Sequence, residues 1–310
     1  MKRTMIGGQA LFEGVMMKNN DQYATAIRLE DGTIDVQVRD YVALVDKLHL
    51  RKVPILRGVF IFLDSMIIGM RTLTYSIDLT EDENSDAELG NKTGKAKVKE
   101  GFAIGGTILL SLALALALFL VLPNFLANVV KRFSDSAFLF ALVEGIVRLI
   151  IFFVYVWAIA CMKEIKRFFQ YHGAEHKTIN CLEAGDELTP ENVLKHSRFH
   201  KRCGTSFIVW VLIISIIFFM FIHADTKLLE ILYRLVLVPV IAGVSYEFIR
   251  YAGLHDNKCV RIFSGPGFLV QRLTTREPDE TMAEVAIKSV EAVMDWQAYQ
   301  EAMRNGEIED

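Results

Sequence analysis

Four stretches of this chain are too apolar, over too many consecutive residues, to be ordinary surface helices, and they constrain everything else. The first, GFAIGGTILLSLALALALFLVLP (101–123), carries no charge. A bilayer core needs about 20 apolar residues in helical form, and this run meets that length. A second, AFLFALVEGIVRLIIFFVYVWAIAC (137–161), is interrupted by Glu144 and Arg148. SFIVWVLIISIIFFMFI (206–222) is a third, and LLEILYRLVLVPVIAGVSYEFI (228–249) a fourth, with Arg234, Pro239 and Glu247 inside it. They explain how a chain with 23% charged residues reaches a mean hydropathy of +0.31. The expectation is a mainly α-helical polytopic membrane protein with a four-helix membrane domain over 101–250.

The loops set its orientation. Lysine and arginine gather on the cytoplasmic side of a membrane protein. Residues 162–205 hold eight of them, from Lys163 to Arg202, whereas the loop after the first span has Lys131 and Arg132 and the loop after the third has Lys227. Both termini and the central loop 162–205 are therefore expected in the cytoplasm. No cleavable leader is expected, because glycines, Gln9 and Glu13 break the apolar part of the N-terminus. Cys161, Cys181, Cys203 and Cys259 fall at or beyond cytoplasmic span ends, where disulfides are not expected. The chain has no C-x-x-C pair, which excludes a zinc ribbon.

The remaining segments divide by pattern. Residues 1–50 read as a small β-rich region, with two alternating runs around Asp31-Gly32 forming a hairpin. GGQALFEGVMMK is expected to add a third strand. Residues 51–78 read as an apolar helix, interfacial or docked on the spans, with a polar side of Arg57, Asp64 and Arg71. Residues 79–100 are polar and read as a flexible linker. In the tail, 251–310, Gly265-Pro266-Gly267 predicts a turn. An amphipathic cytoplasmic helix is expected from Thr281 to Tyr299, capped by Asp279 or Thr281.

The chemistry-bearing stretch is FFQYHGAEHKTINCLEAGDE. His172, Glu175 and His176 stand in the order H-x-x-E-H, in which two histidines on one helical face bind a metal and the glutamate activates water. His196, His200 and Cys203 follow in KHSRFHKRCGTSF. Zinc takes histidine nitrogen and cysteine sulfur, four ligands when structural and three plus an open position when catalytic. His200 and Cys203 can supply what a two-histidine helix lacks. The motif resembles that of inverted zinc proteases, which take a third ligand from a glutamate well downstream, and that resemblance makes Glu247 the candidate third ligand. Competing with all of this is a solvated interfacial helix whose His and Lys side chains face headgroups.

GGQALFEGVMMK, YHGAEHKTINCLE, HKRCGTSF, GVSYEFIRYAG and PGFLVQRLTTREPDETMAEVAI, in that order, resemble the YqhQ family of bacterial multipass membrane proteins. That family has no established activity and is described as a predicted metal-dependent enzyme. The resemblance implies a bacterial plasma-membrane location and a site drawn from His172, Glu175, His176, His200, Cys203 and Glu247.

Three function classes stay open. One is a membrane factor, a scaffold or biogenesis partner of other membrane proteins, whose His/Glu/Cys cluster is structural. Another is a zinc-dependent membrane hydrolase with Glu175 as its base. The third is a small transporter, suggested by Glu144, Arg148 and Arg234, though no internal repeat supports it. The lipid bilayer and a membrane-associated protein are the expected partners, and no nucleic acid is.

Overall fold

The computed structural model describes residues 6–80, 106–107, 109–222, 226–255 and 257–307. Most of the polar 79–100 segment lies outside the described residues. The chain forms two compact units: Met1–Thr80 with Val156–Val211 and Pro239–Asp310, and Glu81–Tyr155 with Leu212–Val238.

The first unit is built on a four-stranded antiparallel meander: β1 (Gly7–Leu11), β2 (Gly14–Asn19), β3 (Gln22–Arg28) and β4 (Ile34–Asp40), paired in chain order. The expected hairpin around Asp31-Gly32 is β3–β4, with Gly32 at φ +85°. The expected third strand is in fact two. Glu13 adopts φ +51°, so Phe12-Glu13 closes a tight turn and Leu11 pairs with Gly14. Alternation then gives the sheet two buried faces. Ala10, Val15, Met17, Ala24 and Ala26 enter one core, and Leu11, Met16, Tyr23 and Ile27 enter another.

Helices cover both faces. After the single turn α1 (Leu44–Lys47), α2 (Leu56–Thr80) lays Ile68 on the second core. Asp64, buried in α2, accepts from the Tyr41 hydroxyl at 2.6 Å and from Leu44 N at 3.0 Å, which ties the β4–α1 connection down.

The chain then runs through α3 (Leu109–Arg132), α4 (Ala137–Ala160), α5 (Lys163–Ala184), α6 (Pro190–Lys195), α7 (Gly204–Met220) and α8 (Lys227–Leu254). Three helices close it: α9 (Lys258–Thr274), α10 (Glu280–Val293) and α11 (Trp296–Arg304). The first core joins the sheet to α5, α10 and α11 through Tyr171, Leu182, Met282, Val290 and Trp296. The central 162–205 stretch is thus mostly helix rather than loop.

Two expectations for the tail change. Gly265-Pro266-Gly267 makes no turn, since α9 runs straight through it from its Asn257 cap. Close packing supplies the reason at Gly267, where a Cβ would meet Ser206 Oγ at 2.6 Å, so this glycine serves contact rather than reversal. The helix expected over Thr281–Tyr299 breaks at Met294. Asp279 caps α10 through Met282 N, and Asp295 caps α11 through Ala298 N.

Three helices are long and apolar enough to cross a membrane: Leu109–Arg132, Ala137–Ile159 and Leu228–Leu254. The remaining apolar helix, Gly204–Met220, is shorter. In the second unit Glu144 is buried and accepts from two arginines, Arg148 at 2.6 Å and Arg234 at 3.2 Å. Arg148 also donates to the Phe119 carbonyl at 3.1 Å, in the π-helical turn Ala117–Val121. Arg234 reaches Glu230 at 2.6 Å as well. These charges are paired with one another, as ionic groups within an apolar helix are expected to be.

Candidate metal centre

Helix α5 carries the H-x-x-E-H residues, and its middle is buried on every side. Residues Tyr171 to Ile179 are all inaccessible to solvent or nearly so. The helix stops at Gly185, whose φ of +80° permits a left-handed end, with Gly185 N bonded to Leu182 O and Asp186 N to Cys181 O. One side of α5 packs on the sheet and α10. The other is crossed by two irregular segments, 196–203 and 275–278, the second directly after α9.

Gly173 allows the second crossing. A Cβ there would lie 2.0 Å from the Arg276 carbonyl oxygen, so only glycine fits. Arg276 N in turn bonds Phe169 O at 2.8 Å. This close approach brings the Thr274 carbonyl to His172 Nδ1 at 2.8 Å. On the next turn of the helix His176 Nδ1 meets the Arg198 carbonyl at 2.7 Å. A carbonyl can only accept, so in the neutral ring each Nδ1 carries the proton and each Nε2 has the lone pair.

Both Nε2 atoms converge on Cys203, at the head of α7. Its Sγ lies 3.3 Å from His172 Nε2 and 3.1 Å from Thr205 Oγ1. The ligand atoms of His172, His176 and Cys203 all lie within 4.8 Å of one another. Glu175 Oε2 is 3.9 Å from both Nε2 atoms. All four side chains are buried, His176 to 1% exposure.

Charge in this small volume is strongly coupled. Burial alone would lower the His176 pKa, but the neighbouring Cys203 and Glu175 outweigh it and push it up to about 9. Burial alone would raise the Cys203 pKa, yet His176 and His172 hold it well below the usual thiol value. The two shifts have one cause: the charged forms of Cys203 and His176 favour each other across this small buried volume. The same atoms fit a metal. Two histidine Nε2 atoms held by outer carbonyls and one thiolate are a donor set that suits zinc, and the carbonyls supply the orienting contacts such ligands have. The three residues could hold a metal ion.

Two candidates from the sequence lie outside this group. Glu247 is taken by Arg57, whose Nε donates to Oε1 at 2.6 Å, with Ile55 N at 3.3 Å. His200 sits beside the group, its ring 5.7 Å from that of His176, but its Nε2 faces Glu183 at 3.7 Å. Its backbone is clamped instead. Gln271, fully buried, accepts from His200 N at 2.9 Å and donates to His200 O at 2.8 Å and Ser206 Oγ at 2.7 Å. Gln271, Gly173 and the carbonyls of Thr274 and Arg198 are the supports that the sequence reading did not assign. The one visible sign was an uncharged amide directly after the apolar run FLV in GFLVQRLTT.

Two cavities among the described residues lie elsewhere. One of about 10 Å³ is lined by Trp210, Phe248 and Phe268. An open depression of about 440 Å³ is lined by Leu188, Glu284 and Lys288. Neither is lined by His172, Glu175, His176 or Cys203.

Residues 53–296 match the family described as "Protein of unknown function (DUF1385)". The chain belongs to this family. It is also 33% identical over 306 residues to the "Uncharacterized protein YqhQ" of Bacillus subtilis (strain 168), covering 95% of this chain and 94% of that one. No solved structure matches it. The family carries no assigned activity, so the geometry of the His172/His176/Cys203 group is the main guide to function.

Proposed function

We propose that the chain is a bacterial plasma-membrane scaffold or assembly partner for other membrane proteins, and that His172, His176 and Cys203 hold a buried zinc ion with a structural role, its fourth position shut off from substrate and Glu175 beside it. Burial carries this reading. A catalytic site needs a cleft that admits a substrate, whereas His176 is 1% and Cys203 4% exposed. Zinc there would bind α5 to the start of α7, and its binding free energy would become folding free energy.

In this reading α7 is a fourth crossing. Its 17 residues give ~25 Å of helix, at the short end of what spans a bilayer. Four crossings return both termini to the cytoplasm, in line with the lysine- and arginine-rich 162–205 segment. A partner protein would meet the first unit there.

One observation favours a second reading, a zinc-dependent hydrolase. Glu175 Oε2 stands 3.9 Å from both histidine Nε2 atoms, close enough to accept a proton from a water held between them. Zinc would there supply Lewis acidity.

Metal analysis of detergent-purified protein tests both. Stoichiometric zinc that is lost in His172→Ala and Cys203→Ser, with a matching drop in thermal stability, is expected. Glu175→Gln separates the readings: a structural centre leaves cellular function intact, and a hydrolase gives a folded, zinc-loaded, inactive protein. Wild-type protein free of metal would overturn both.

A further inference from the structure

Helix α9 has two faces with different business. Its inner face carries Ser264, Gly267, Val270, Gln271 and Thr274, all packed away from solvent. Through Gln271 and the Thr274 carbonyl this face holds the segment bearing Cys203 and the ring of His172. The outer face carries Lys258, Ile262, Leu269 and Arg272, spaced four, seven and three residues apart, one stripe of a helix. Ile262 is 73% exposed and Leu269 51%, with Phe263 alongside at 49%.

This stripe has an apolar middle and a cation at each end, over ~21 Å. No Asp or Glu occurs between Asn257 and Arg276, while Lys258, Arg261, Arg272 and Arg276 do. Helix α9 begins at Lys258, directly after the apolar helix α8 ends at Leu254. A helix that follows a span, exposes large apolar side chains and carries only positive charge has the composition of one lying in the membrane interface.

We propose that the outer face of α9 docks on the bilayer. Ile262, Phe263 and Leu269 enter the headgroup–acyl boundary, and Lys258 and Arg272 hold anionic phospholipid headgroups at its two ends. Since the inner face of the same helix supports the His172/Cys203 group, that group is seated on a membrane-anchored bar. The inference depends on α8 being a span and not on whether a metal binds.

Photo-crosslinking tests it. The photoreactive residue benzoylphenylalanine replaces Ile262 or Leu269 in the full chain, with exposed Glu284 of α10 as control. The proteins are reconstituted in phosphatidylcholine vesicles with or without phosphatidylglycerol, and are also irradiated in native membranes. Phospholipid adducts at 262 and 269, and none at 284, are expected. Phosphatidylglycerol should be preferred, and the preference should fall about fivefold for each of Lys258→Gln and Arg272→Gln, the equivalent of ~1 kcal/mol per cation. Protein adducts at both positions in native membranes, or no adduct at either, would overturn the proposal. Equal adducts with both lipids would overturn the anionic headgroup contact. Zinc content is measured on the same preparations, so loss of the metal and loss of docking are read separately.

Discussion

Gly173 lies so close to Arg276 that a Cβ on the glycine would sit 2.0 Å from the arginine's carbonyl oxygen. The second residue of the H-G-A-E-H run therefore serves a backbone crossing that positions Thr274 against His172. Gly173→Ala should displace that crossing and cost about 3 kcal/mol or more, the upper range for overpacking a tight interior. Thermal unfolding in detergent reads the loss. A variant as stable as wild type would mean the crossing can move freely.

Helix α10 offers a milder probe. Asp279 caps it, and Asp279→Ala should cost about 1 kcal/mol, typical of a lost N-cap. Burial pushes the Asp279 carboxyl up, but the Thr281 hydroxyl and Met282 N–H outweigh it and hold its pKa below 3.8. A carboxyl depressed on folding stabilises above its unfolded pKa and loses that contribution as pH falls through the folded one. The stability gap between wild type and Asp279→Ala should thus be full at neutral pH and narrow below about pH 4. A gap that widens in acid would refute the carboxylate cap.

In the second unit, Glu144 is the shared partner of Arg148 and Arg234. Glu144→Gln leaves two guanidinium groups facing one weaker acceptor. Removing one member of a buried ionic group costs about 3 to 5 kcal/mol. Denaturation in mixed micelles should show a loss of that order, with Arg234→Gln milder because Arg234 is the more exposed arginine. Equal stability of wild type and Glu144→Gln would mean that the pairing contributes nothing.

Orientation is checked by thiol labelling in intact cells, with Cys161 replaced by serine. A cysteine engineered at Ser136, between α3 and α4, should react with an impermeant reagent, and one at Glu191 in α6 should react only after lysis. Labelling of Glu191→Cys from outside would invert the topology.

The long apolar helices were legible because charged residues are so few within them, with only Glu144 and Arg148 interrupting Ala137–Ile159. The β3–β4 hairpin was legible from Asp31-Gly32. The β1–β2 turn was not, because Phe12-Glu13 has no usual turn residue and Glu13 takes its φ of +51° from the pairing on either side. Gly265-Pro266-Gly267 misled for the opposite reason: its local turn chemistry is overridden by packing on Ser206. At the site, the spacing of His172 and His176 placed them on one face, and HKRCG brought Cys203. Glu247 fitted by residue type and distance along the chain, but Arg57, 190 residues earlier, claims its carboxylate. The two carbonyls that fix the histidine tautomers have no signature at all, since every residue owns one.

The first core has a consequence for synthesis. The sheet is complete by Asp40, yet the helices that cover one of its faces end with α10 and α11, and Asn19 bonds Val293 O across 274 residues of chain. A nascent chain therefore exposes Val15, Met17, Ala24 and Ala26 while the long apolar helices are still being made. Folding of the first unit is postponed until α10 and α11 leave the ribosome. A stop codon after α9 would leave an open sheet tethered to a finished set of membrane helices, a ready substrate for quality-control proteases.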